Sequence, residues 1–96
     1  MNKYLEQLKD LSLLIFENVP AKIILFGSRA RGDNRSTSDV DIGIIPHKGS
    51  CVKEVTLLRE KIEQSNIPLK VDVVNLKETS EEFYKEAVKE AVVWKE

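Results

Sequence analysis

A single cysteine, Cys51, stands among 96 residues, which excludes an internal disulfide and any cysteine-cluster metal site. With no catalytic company in sequence, that thiol reads as inert. Also missing is any apolar run near the roughly 18 residues that a membrane span needs, so a soluble chain is expected. Met1 to Leu5 leads directly into a pattern broken by Glu6, Lys9 and Asp10, so no secretory signal is expected and a cytoplasmic location is. Charge of one sign is lacking as well: with a net charge of −1, no overall field draws the chain to nucleic acid, and any grip on phosphate has to be local. No Gly-x-x-x-x-Gly-Lys-Ser/Thr occurs, which removes the P-loop hydrolases. Asp39-Val40-Asp41-Ile42-Gly43 lacks the further ligands and the glycine position of an EF-hand. His47, the one histidine, follows Pro46 and is expected on the surface.

What is present suits one domain over residues 1–96, with 42% hydrophobic and 32% charged residues and no room for a second, substrate-binding domain. Tyr4, Leu5, Leu8, Leu11, Leu14 and Ile15 recur at helical steps and predict a helix from Tyr4 to Phe16, ended by Pro20. Lys22 to Phe26 is short, apolar and partly β-branched and reads as a buried strand stopped by Gly27. Gly27 to Ser38 has no apolar period and reads as a loop, with room for one helical turn after Gly27. Val40 to Ile45 predicts a second strand, closed by Pro46. Ser50 is placed to cap a helix carrying Val52, Val55, Leu58 and Ile62, which Asn66 to Pro68 breaks. Leu69 to Leu76 predicts a third strand. Thr79-Ser80-Glu81-Glu82 has capping-box spacing and would start a last helix bearing Phe83, Ala87, Val88, Ala91 and Val92. Phe83 and Trp94 are expected in core or edge packing. The order implies an α/β (α+β) fold, a small mixed sheet of three strands with helices packed against it and one face thinly covered.

The chemistry concentrates in Gly27-Ser28-Arg29-Ala30-Arg31-Gly32 and, after a polar stretch, Ser38-Asp39-Val40-Asp41. Residues two apart on a strand share a face, which would set Asp39 and Asp41 side by side with Cα atoms about 6.5 Å apart. Two such carboxylates repel unless a cation lies between them, and an all-oxygen donor set suits magnesium, which keeps waters and substrate phosphates as further ligands. Asp72, within Val71-Asp72-Val73-Val74, makes a third carboxylate where an apolar residue is expected. On an adjacent strand it would complete a set able to hold two ions about 3.5–4 Å apart, as phosphoryl transfer uses. Gly27 lets backbone approach a ligand closely, Ser28 adds a hydroxyl, and Arg29, Arg31 and Arg35 supply local positive charge from which at least one could pair with a triphosphate.

Gly27-Ser28, ten residues, then Asp39-Val40-Asp41 resembles the signature of nucleotidyltransferases related to DNA polymerase beta. In length and in its Gly-Ser-Arg-Ala-Arg-Gly form the chain is similar to the minimal nucleotidyltransferases, antitoxins encoded with HEPN-domain ribonuclease toxins. The resemblance implies that Gly27 and Ser28 hold the triphosphate of ATP, and the local charge adds Arg29 and Arg31 as candidates to pair with it. Asp39 and Asp41 would hold two magnesium ions, and Asp72 one ion and the acceptor's proton. It further implies transfer of AMP to a tyrosine of a HEPN toxin. Two other readings stand beside it: a module that masks its partner by contact alone, and a nucleotidyltransferase acting on a small molecule.

Overall fold

In the computed structural model residues 2–35 and 38–96 are described; Met1, and Ser36 and Thr37 of the loop expected over Gly27–Ser38, lie outside them. Helix α1 (Lys3–Ile15) starts at Asn2, whose side-chain oxygen accepts the Leu5 N–H at 2.9 Å. Strand β1 (Ala21–Phe26) follows, then one helical turn, α2 (Ser28–Arg31), where the sequence left room for it. After the loop come β2 (Val40–Pro46), α3 (Val52–Glu63), β3 (Val71–Asn75) with a 3-10 turn at Leu76–Glu78, α4 (Glu81–Lys89) and β4 (Val92–Lys95).

The strands lie in the order β3-β2-β1-β4, with β1 antiparallel to β2 and β4 and with β2 parallel to β3. Alternation along each strand then sorts the side chains by face. Ile23 and Leu25 of β1, Val40, Ile42 and Ile44 of β2 and Trp94 of β4 join Leu5 and Leu8 of α1 and Val55 and Leu58 of α3 in the larger core. Side chains of this kind each contribute about 1.5–3 kcal/mol when fully buried. The opposite face carries a smaller cluster, Ile24, Phe26, Leu76 and Ala87, beneath α4. Gly43 belongs to that face, and a Cβ on it would stand 2.6 Å from the Leu76 side chain, so glycine lets the 3-10 turn close down on the sheet. The thin cover expected on one face is therefore present, and it leaves Phe83, Tyr84, Val88 and Val93 largely exposed.

The end of the chain departs from the sequence expectation. Ala91 and Val92 are not on the last helix, which stops at Lys89, and the sheet has four strands rather than three. Ala87/Ala91 and Val88/Val92 have helical spacing, but Val92-Val93-Trp94 is also a strong strand sequence, and β1 offers it an edge of unpaired backbone groups. Lys95 fastens the new strand by donating to the carbonyls of Val19 at 3.1 Å and Ala21 at 2.9 Å.

The caps shift as well. Ser80, not Thr79, caps α4 by accepting the Phe83 N–H at 3.1 Å, so the third helical position holds Phe83 and no capping box forms. Thr79 instead donates to the Leu76 carbonyl. Cys51 rather than Ser50 is the first flanking residue of α3, with the Ser50 hydroxyl accepting from Val52 N–H at 3.3 Å. The third strand is shorter than Leu69–Leu76, because Leu76 turns down into the smaller core. Among the described residues no helix is long and apolar enough to cross a membrane.

Candidate functional site

At the end of β1 the backbone turns sharply at Gly27, whose φ of +77° and ψ of −156° fall in a region essentially restricted to glycine. A Cβ at this position would also press on the Asp41 carboxylate, with its Cγ at 3.4 Å. Glycine is thus required by the turn and again by its acidic neighbour. Helix α2 winds from Ser28, its first turn closed by the N–H groups of Ala30 and Arg31, which donate to the Gly27 carbonyl at 3.1 and 3.2 Å.

Asp41 is register partner to Phe26 on one side and to Asp72 on the other. The alternation that buries Val40 and Ile42 in the larger core turns Asp41 to the opposite face, and Val71 and Val73 do the same for Asp72. The two carboxylates therefore share one face on strands about 4.8 Å apart. The consequence is visible in Asp41, whose carboxyl is held above its ordinary range by burial first, then by Asp72 and Asp39, against the opposing pull of Arg31 and Lys70. Asp39 lies one residue ahead of β2, exposed, with the Lys70 ammonium 4.0 Å from its carboxylate. Asp72 is exposed on an edge strand, so its register opposite Asp41, rather than burial, is what singles it out.

The arginines separate into different environments. Arg29, 8% exposed, points away from solvent, and its Nε and Nη2 donate to the Ser38 carbonyl at 3.1 and 2.9 Å. Arg31 is exposed, 3.2 Å from the Asp33 carboxylate, and close enough to Asp41 to lower its pKa. Arg35 is exposed. Cys51 is buried, which pushes its thiol pKa up, as an inert thiol requires. His47 is exposed and stands 2.6 Å from the Glu96 backbone oxygen.

A cavity of about 670 Å³ opens beside Asp41 and Asp72, lined also by Phe26, Arg59, Phe83 and the valines of β3. Its size is in the range of small-molecule sites. Phe83 meets Phe26 edge-on with ring centroids 6.0 Å apart, and Arg59 donates through Nε to the Val73 carbonyl at 3.2 Å. Lys70 and Arg59 escaped sequence reasoning, which places Phe83 in packing but not beside the carboxylates. Lys70 had a signal, two residues before Asp72, whereas Arg59 and Phe83 reach this place only through the packing of α3 and α4.

Among the described residues no three acidic, cysteine or histidine side chains converge closely enough to hold an ion unaided. The donor chemistry nevertheless suits magnesium: the groups are carboxylates, burial and then its like-charged neighbours disfavour the ionised form of Asp41, and magnesium commonly takes one or two carboxylates and fills its other positions with water and substrate phosphates.

A family model described as "Polymerase beta, Nucleotidyltransferase" matches residues 7–96. The probable protein adenylyltransferase MntA of Haemophilus influenzae is 30% identical over 79 residues, 81% of this chain and 69% of that protein. MJ0141 of Methanocaldococcus jannaschii, a candidate protein adenylyltransferase, is 35% identical over 89 residues, 88% of this chain and 79% of its own. Among solved structures, a candidate minimal nucleotidyltransferase superposes with a TM-score of 0.70 at 24% identity, covering 92% of this chain and 90% of that one. A toxin–antitoxin crystal structure with AMP-PNP superposes with a TM-score of 0.68 at 20% identity, over 90% and 71% of the two chains. At these identities the structural likeness is one of fold.

Proposed function

The chain belongs to the polymerase beta nucleotidyltransferase family and is a nucleotidyltransferase, and from that premise we propose that it moves AMP from ATP to a hydroxyl of a partner protein. The observation that carries this reading is the matched register of Asp41 and Asp72 beside Gly27, with the Asp41 carboxyl raised by burial and then by its acidic neighbours. Gly27 and Ser28 bind the triphosphate, and Arg31, exposed and electrostatically coupled to Asp41, neutralises part of its charge. Asp39 and Asp41 hold magnesium, two ions when Asp72 joins them. Bound there, magnesium would supply the charge neutralisation that phosphoryl transfer needs.

The acceptor oxygen attacks the α-phosphorus in line as the bond to the bridging oxygen of the β-phosphate breaks. Pyrophosphate leaves, and the acceptor proton passes to Asp72. The protein acceptor is supported by the two adenylyltransferase relatives, and the toxin–antitoxin setting by the neighbour with AMP-PNP. A tyrosine of a HEPN ribonuclease fits both: a nucleotide on such a residue adds anionic charge and bulk, which opposes RNA binding.

The test is to incubate the purified chain with α-labelled ATP, magnesium and the product of the adjacent gene, and to follow label on protein. Label lost in Asp41→Ala supports transfer. Absence of label from a pair that still forms a complex overturns it in favour of masking by contact.

A further inference from the structure

Asp39 is exposed and lies one residue outside its strand, yet its peptide is held from both sides. On the far side the Val40 N–H donates to the Lys70 carbonyl at 2.9 Å. On the near side the Ser38 carbonyl, part of the peptide bond into Asp39, accepts from Nε and Nη2 of Arg29 at 3.1 and 2.9 Å. Ser38 is tied locally as well, its N–H donating to the Arg35 carbonyl at 3.0 Å and its hydroxyl accepting the Arg35 N–H at 2.8 Å. Arg29 is 8% exposed and sits directly after Gly27-Ser28, so one side chain joins the glycine turn to the loop that delivers Asp39.

We propose that Arg29 is a positioning residue: its guanidinium, held on the Ser38 carbonyl, fixes the peptide plane entering Asp39 and so sets that carboxylate in register with Asp41. The inference rests on the magnesium role given to Asp39 and Asp41 above. The chemistry suits arginine in particular. A planar, always charged guanidinium can bring two N–H groups to one oxygen, whereas a lysine ammonium is a point charge that holds no plane. Groups that orient a ligating side chain without touching the ion typically change metal affinity about 10–100-fold when removed. Arg31, two residues on, is exposed beside Asp33 and serves as the internal control.

Two measurements test this. The first uses the unmodified chain: the Arg29 Nε–H signal in an NMR spectrum should exchange with water much more slowly than that of Arg31, and should stay put when magnesium and a non-hydrolysable ATP analogue are added. Exchange as fast as that of Arg31, or a shift on nucleotide addition larger than that of Arg31, overturns the proposal and gives Arg29 to the triphosphate. The second titrates Mn²⁺ into Arg29→Lys in the presence of the same analogue, followed by electron paramagnetic resonance. Affinity for Mn²⁺ should fall about tenfold or more, with kcat for AMP transfer falling in step and KM for ATP changing less than about threefold. Unchanged Mn²⁺ affinity, or a raised KM with kcat intact, overturns it. A wild-type chain that transfers no AMP would defeat the proposed function alone, because the exchange and Mn²⁺ results decide the role of Arg29 independently of turnover.

Discussion

Gly27 and Asp41 constrain one another at the scale of single residues. Replacing Gly27 by alanine forces a side chain into a glycine-only region of backbone space and against the Asp41 carboxylate. Gly27→Ala should therefore cost about 1–3 kcal/mol in urea unfolding. Gly32→Ala should cost less, because that glycine has a left-handed φ of +82° but nothing within 4 Å of a Cβ. Equal costs would mean that the carboxylate contact contributes nothing. Asp41 itself gives a pH prediction. Its folded-state pKa is raised, so the ionised carboxylate costs the fold stability above that pKa, and the cost vanishes once pH falls below the ordinary value of 3.8. Asp41→Asn should raise Tm at pH 7, and the gain should shrink as pH is lowered toward 3.8. A gain that is the same at every pH would assign it to some other cause.

The element that most repays attention is β4, because it completes the larger core while covering an edge of β1. Trp94 is 7% exposed, and its indole N–H is buried with no acceptor among the described residues. Trp94→Ala should cost about 3–5 kcal/mol by opening a cavity beneath the sheet. Trp94→Phe should cost clearly less than that, since it keeps much of the apolar volume and removes an unsatisfied donor. Urea unfolding of the two variants against the parent checks the ordering, and equal losses would mean that the N–H is satisfied in solution. The strand also shows why its place escaped the sequence. Val92 fits the apolar spacing of α4 and the residue preference of a strand equally well, and the choice between them depends on β1, which lies about seventy positions earlier in the chain.

For the whole molecule, charge is nearly balanced at −1, but its distribution is not: three aspartates gather at one end of the sheet with Arg31 and Lys70 beside them. Magnesium with nucleotide should relieve that local repulsion and stabilise the fold as a whole. At about 100 times the Kd, binding adds about 2.7 kcal/mol, which in a domain of this size raises Tm by roughly 10–20 °C. Calorimetry with magnesium and a non-hydrolysable ATP analogue should show that rise in the parent and little of it in Asp41→Ala, and chelating the metal should reverse it. No shift in the parent would remove the basis for the ion site. The thinly covered face is a second property of this scale. It leaves the cavity beside Asp41 and Asp72 accessible, where a second full layer of helices would have closed it.

By itself the sequence determined where the helices and the first three strands lie, though not where the last helix and third strand stop, and it singled out Gly27, Ser28, Asp39, Asp41 and Asp72 as candidates for the chemistry. Those features are local: helical and strand periods, a glycine stopping an apolar run and two acids flanking a valine are all written within a few residues of one another. Tertiary structure alone decided that the chain ends in a strand, that Asp72 stands opposite Asp41, and that Arg29 turns inward to Ser38 while Arg31 stays in solvent. Each of these depends on hydrogen-bonding groups brought near by the folding of distant segments, and no period in the local sequence encodes which distant backbone will be there to receive them.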